Sequence, residues 1–173
     1  MTLHRLRARV GTDATAVIVT VPEAAAARLV WGSDSTDGLP PHLTVAYPLP
    51  PTAATESWRR LLAEALAGVP AFGVVLDRLG HFEDLAYLAP RDPAPLEALV
   101  EAVGAVFPGF PMYGGAFERF IPHLTLGAGG NPDREAAVQR LLPLAGGAGV
   151  ELWAHTRRRW RRVCELPLAA GAR

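Results

Sequence analysis

The sequence contains no lysine; all 17 of its basic residues are arginine. With its abundant alanine, glycine and proline, this composition reflects codon usage in a GC-rich genome rather than a function. Cysteine is nearly absent. Cys164 stands alone, which excludes an intrachain disulfide and fits a reducing compartment, so a cytoplasmic location is expected. It lies in "RRVCELPL", which reads as a strand, where a lone thiol serves as a small apolar side chain. No Cys/His grouping has zinc-site spacing. Net charge is missing too: 17 acidic residues balance the arginines, which argues against a general polyanion binder but leaves room for a local anion site. No apolar run approaches the ~20 residues of a spanning helix. The N-terminal "MTLHRLRARVGTDATAVIV" lacks the apolar segment and cleavage site of a signal peptide, so no membrane partner is expected.

What is present is a hydrophobic half: 50% of 173 residues, enough for a real core and suited to one domain. "TAVIVTVP" (15–22) reads as a buried strand, "PEAAAARLVWG" as a helix entered at Pro22, and "SDSTDGLPP" as a loop. "HLTVAYPL" (42–49) reads as a strand, "TAATESWRRLLAEALAGV" as an amphipathic helix ending near Gly68, and "AFGVVLDRLGHF" and "DLAYLAP" as two strands turning around Glu83 and Asp84. The second half repeats the order. "DPAPLEALVEAVGAVF" is a helix capped by Asp92, "PGFPMYGGAFERF" a loop, "IPHLTLGA" a strand, and "NPDREAAVQRLLPLA" a helix capped by Asn131. "GVELWAHTRR" and "RRVCELPLA" close as strands. The expectation is a single domain, residues 1–173, with an internal repeat over about 14–90 and 84–168. "DLAYLAP" would end one copy and begin the next. Two lobes related by an approximate twofold give an α+β fold, with mostly antiparallel sheets lining a central cleft and helices outside.

The repeat carries one phrase twice. "PHLTV" holds His42 and Thr44; "PHLTL", 81 residues later, holds His123 and Thr125. Side chains alternate along a strand, so each His shares a face with its Thr, while Leu43, Val45, Leu124 and Leu126 turn to the core. Strict alternation puts Ala46 and Gly127 next on the His faces, small enough to leave room for a ligand, and puts Tyr47 in the core. Pro41 and Pro122 remove a backbone donor before each His, which suits a strand end at the mouth of a cleft. Two imidazoles and two hydroxyls converging on one pocket suit a phosphodiester. One imidazole takes a proton from water, the other gives one to the leaving oxygen, and the hydroxyls donate to the phosphate oxygens. An unperturbed histidine pKa of about 6.5 lets both roles operate near neutrality. No metal or other cofactor is required.

The doubled His-x-Thr-x phrase resembles the 2H phosphoesterase superfamily, including its 2′-5′ RNA ligase and RNA 2′,3′-cyclic phosphodiesterase members, over about residues 14–168. The resemblance implies a duplicated α+β fold, with His42 and His123 as the catalytic pair and Thr44 and Thr125 as phosphate ligands. It implies His123 as the base that activates water and His42 as the acid that protonates the leaving 2′-oxygen. The substrate it implies is an RNA end or nucleotide bearing a cyclic phosphate or 2′-5′ linkage; a monomer is expected. The sequence departs from the cyclic phosphodiesterase branch, "R-x-F-x-P-H-x-T-L-x-R": the upstream basic residue is Arg119, one place late, and the downstream position is Ala128.

Further substrate-binding candidates are Arg119, with the parity of His123; Tyr113 and Phe117, able to stack on a base; and Trp153, which alternates with His155 and Arg157 on a strand that can line the cleft. His4, His81 and His155 lack a paired Thr and read as structural or solvated. "RRRWRR" (157–162) falls at a hairpin tip, either solvated or gripping a nucleic-acid backbone. The competing reading of the whole is an RNA- or nucleotide-binding module with little or no catalysis; a third is an interaction protein with a vestigial site.

Overall fold

The computed structural model describes residues 13–33, 38–83, 85–115, 120–129 and 131–170. Strands form where β-branched and alternating stretches occur. One sheet contains β1 (Ala14–Thr20), β2 (His42–Leu49), β7 (Gly149–Thr156) and β8 (Arg159–Glu165) in the order β2-β1-β7-β8. The other contains β3 (Gly73–His81), β4 (Leu85–Pro90), β5 (Leu124–Ala128) and β6 (Leu144–Gly147) in the order β5-β4-β3-β6. All strand pairs within both sheets are antiparallel. This is the expected α+β architecture.

Among the described residues four α-helices complete it: α1 (Ala25–Trp31), α2 (Glu56–Leu66), α3 (Ala94–Val106) and α4 (Pro132–Gln139). Their ends follow the capping chemistry. Asn131 Oδ1 accepts from the Asp133 and Arg134 amides, satisfying two of the free donors at the start of α4. Asp92 Oδ1 does the same for Ala94 at the start of α3, two residues after it. α1 is preceded by a 3-10 turn at Pro22–Ala24 and stops at Gly32, whose φ of 81° is the left-handed cap that glycine adopts readily. One expectation fails. The helix beginning at Asn131 does not run to Ala145; it ends at Gln139, and Leu144–Gly147 is strand β6. Pro143 cannot continue a helix, and it pushes Leu142 away from helical backbone angles. The stretch "LAGG" is too poor in strand formers to announce itself.

The expected repeat and the observed sheets do not coincide. β3 follows α2 in the first copy but pairs with β4 and β6 in the second sheet. β7 lies in the expected second copy but pairs with β1 in the first sheet. The helices cross over likewise: α1 packs on β5, and α3 packs on β2. Each half of the chain thus supplies strands and a helix to the sheet that holds the other half's histidine strand.

A contiguous core results, built from Val17 and Val19 of β1, Leu43 and Val45 of β2, Leu88 of β4, and Leu124 and Leu126 of β5, with Leu62, Leu66, Leu99 and Val103 from α2 and α3. Each such side chain contributes roughly 1.5–3 kcal/mol of burial. Cys164 is half-buried against this core, and burial pushes its thiol pKa up, so it packs as an apolar group. Among the described residues no helix is long and apolar enough to cross a membrane.

Candidate active site

Both histidine strands are edge strands: β2 borders the first sheet and β5 the second, and the two touch. The two motifs therefore lie along the seam where the sheets meet. Within each motif the aliphatic residues are sealed in the core: Leu43, Val45 and Leu124 are 0% exposed and Leu126 is 1%. His42, Thr44, His123 and Thr125 are only half-buried, on the opposite faces. The alternation expected from the sequence holds this far.

It then breaks, at the same place in both copies. Thr44 stands opposite Ile18, but Ala46, two residues on, stands opposite Val17, the very next residue of β1. Thr125 stands opposite Tyr87 and Gly127 opposite Ala86 in the same way. Val45 and Leu126 are the extra residues of two matching β-bulges, which re-aim the side chains beyond them. Ala46 turns inward and is 8% exposed. It helps line an apolar cavity of about 200 Å³ between β2 and α3. Gly127 turns toward α1, where a Cβ would come within 3.0 Å of Ser33 Oγ and 3.1 Å of Trp31 Cδ1. Neither residue leaves space for a ligand beside its imidazole, contrary to strict alternation.

Tyr47, which alternation placed in the core, is instead half-buried on the His42 face. Its ring meets Trp160 of β8 at 5.8 Å and Tyr113 of the loop before β5 at 6.5 Å. β2 and β8 are the opposite edges of their sheet, so this contact shows that the sheet curls across its groove face. Ala14 and Ala16 of β1 form the floor beneath, being the partners of His155 and Trp153.

The two histidines are held alike. Nδ1 of His42 lies 2.8 Å from the Pro40 carbonyl, and Nδ1 of His123 lies 2.7 Å from the Ile121 carbonyl, each two residues back. A carbonyl only accepts, so Nδ1 carries the proton in both neutral rings and Nε2 is the basic nitrogen. Their surroundings differ. His123 stands edge-on to Phe82 at 4.9 Å and Tyr87 at 5.7 Å, and those two rings stack on each other at 4.3 Å. Tyr87 lies flat because Gly80 is beneath it; a Cβ there would fall 2.5 Å from the ring. Burial in this aromatic wall lowers the His123 pKa below its ordinary value, opposed by the hydrogen bond to Ile121.

The remaining candidates divide. Trp153 and His155 lie on the groove face of the first sheet, with Trp153 Nε1 donating to Glu151 at 2.8 Å and His155 packed on Trp160 at 5.2 Å. His81 faces away from the groove and pairs with Glu135 of α4 at 3.1 Å. Tyr113 packs on β2. Arg119, Phe117, His4 and Asp84 lie outside the described residues. Among the described residues no group of three His, Cys, Asp or Glu side chains could hold a metal ion. Sequence reasoning missed Phe82, Tyr87, Tyr47 and Trp160. The only hint was the small residue, Ala46 or Gly127, in the same place after each motif.

Solved structures share this fold. TT0787 of Thermus thermophilus superposes with a TM-score of 0.63 at 17% identity, covering 92% of this chain and 100% of its own. E. coli LigT complexed with 3′-AMP gives 0.59 at 20% identity, covering 90% and 98%. A crystal structure described as a phosphoesterase gives 0.55 at 20% identity, covering 91% and 99%. No curated protein matches. The 2′-5′ RNA ligase superfamily model matches residues 18–159, a span that takes in both motif strands with their bulges; the chain belongs to that superfamily and with it to the 2H phosphoesterases.

Proposed function

We propose that this protein is a metal-independent phosphoesterase that hydrolyses a 2′,3′-cyclic phosphate or a 2′-5′ phosphodiester of RNA or a nucleotide. The observation that carries the reading is the doubling of one histidine geometry, each Nδ1–H fixed on the carbonyl two residues back, on two strands that touch. Two oriented Nε2 atoms and two half-buried threonines are what an in-line displacement at phosphorus needs.

His123 takes the role of base. The wall of Phe82 and Tyr87 favours its neutral form, so Nε2 is ready to accept a proton from water. The water oxygen bonds to phosphorus as the bond to the leaving ribose oxygen breaks. His42, protonated, gives its proton to that oxygen. Thr44 and Thr125 donate to the non-bridging oxygens, where charge builds in the transition state. Ligation would put a ribose hydroxyl in place of the water as the group that attacks phosphorus. E. coli LigT has been crystallised with 3′-AMP and with NADP+, which supports a nucleotide-sized occupant for a groove of this shape.

The test is to incubate the protein, with EDTA, with 2′,3′-cyclic nucleotides and a short RNA ending in a 2′,3′-cyclic phosphate. Appearance of a phosphomonoester is the expected result. Binding of these compounds without turnover between pH 5 and 9 would make the groove a binding module instead. Neither binding nor turnover would remove this substrate class.

A further inference from the structure

The β7–β8 hairpin carries a feature that folding alone does not explain. Thr156 pairs with Arg159, so the loop between them is two residues, Arg157 and Arg158. Their φ values are 49° and 68°. Two central residues at positive φ are the signature of a type I′ turn, which strongly favours Asn-Gly. Arginine in the left-handed region costs roughly 1–2 kcal/mol per residue. The chain thus places its densest positive charge where the backbone least wants a side chain. Strain of this kind gathers at functional sites.

The charge is also uncompensated. Arg162 is held by Glu151 at 2.6 Å and Glu165 at 3.3 Å. Among the described residues Arg157, Arg158, Arg159 and Arg161 have no carboxylate partner, and all four are exposed. This tip adjoins the groove. Trp160, between these arginines, touches both Tyr47 and His155 on the groove face. Across β1, the row of His155 is opposite Ala14 and the row of His42 opposite Thr20. Six residues of strand span about 20 Å, or about six stacked nucleotides at about 3.4 Å each. A mononucleotide at His42 does not reach that far; a polynucleotide does.

We propose that the β7–β8 hairpin tip is a second anion site that binds backbone phosphates of a single-stranded polynucleotide whose end lies between His42 and His123, with bases resting on the aromatic row of Tyr47 and Trp160. The inference rests on the reading of the groove as a phosphoesterase site and adds its substrate length. Guanidinium forks suit phosphate, and aromatic stacking tolerates any base.

The test uses the double variant Arg157→Asn/Arg158→Gly, which gives the turn its preferred residues. Its melting temperature should rise, so misfolding is not the cause of any loss. Turnover of a cyclic mononucleotide and of an eight-nucleotide RNA with a 2′,3′-cyclic end are compared at several salt concentrations. Expected is a loss of about tenfold or more in kcat/KM for the RNA alone. The slope of log kcat/KM against log salt should flatten by about 1.4 for two lost phosphate contacts. Equal effects on both substrates, or no effect on the RNA, would overturn the proposal. Should the parent protein turn over neither substrate, the phosphoesterase reading fails by itself, and fluorescence anisotropy with the same RNA decides the tip. Weaker, less salt-sensitive binding by the variant supports the site; unchanged binding overturns it.

Discussion

β2 and β5 carry the same motif in the same local geometry but in different company. Both place the histidine where the strand begins, both hold Nδ1 on a carbonyl two residues back, and both bulge directly after the Thr. The residues around them are not alike. His123 is walled by Phe82 and Tyr87, and its strand continues into Gly127 under α1. His42 lies on a strand that continues into Tyr47 and the aromatic row leading to the arginine tip. In the proposed reaction, duplication supplies two equivalent titrating groups, and the divergent surroundings separate them into base and acid and give the groove a direction. A twofold-symmetric site would do neither.

Three experiments sharpen that comparison. Thr44→Val and Thr125→Val each remove one donor to the transition state while keeping shape; each should lower kcat about 10²–10³-fold with little change in KM. Unequal losses would show which lobe carries more of the developing charge. The positions after the bulges come next. Gly127→Ala forces a Cβ against Trp31 and Ser33 and should cost about 1–3 kcal/mol of stability by denaturant melting. The equivalent Ala46→Gly forces no contact; it removes one buried methyl and frees backbone, and should cost about 1–2 kcal/mol. The smallest effect is electrostatic. Phe82→Ala admits water to His123, so its pKa should rise toward the ordinary histidine value and the acid limb of kcat/KM should move to higher pH. A limb that stays in place would mean that Phe82 does not set the protonation of the base.

The motifs, their faces and the order of elements were legible because they depend on local patterns: apolar runs, Asn131 and Asp92 caps, and the repeated Pro-His-Leu-Thr. Four things were not. The bulges depend on register with β1 and β4, so nothing in "VAYPL" alone says that Ala46 turns inward and Tyr47 outward. The exchange of β3 and β7 between sheets is a long-range choice that a linear repeat cannot reveal. β6 is built from Leu, Ala and two glycines and owes its existence to pairing with β3. The arginine cluster was visible as a hairpin tip; the positive φ values that make it more than a solvated turn were not.

In the proposed reaction two histidines in one geometry serve as a separated base and acid. This is tested most directly by the pH dependence of kcat/KM on a 2′,3′-cyclic phosphate for the parent protein, His42→Ala and His123→Ala. The base must be neutral, and burial lowers the His123 pKa below its ordinary value, so kcat/KM should rise with pH through an acid limb that belongs to His123. Each variant should lose about 10²–10⁴-fold, with His123→Ala also losing the acid limb. Full activity in either variant, or an acid limb that persists without His123, would contradict the account.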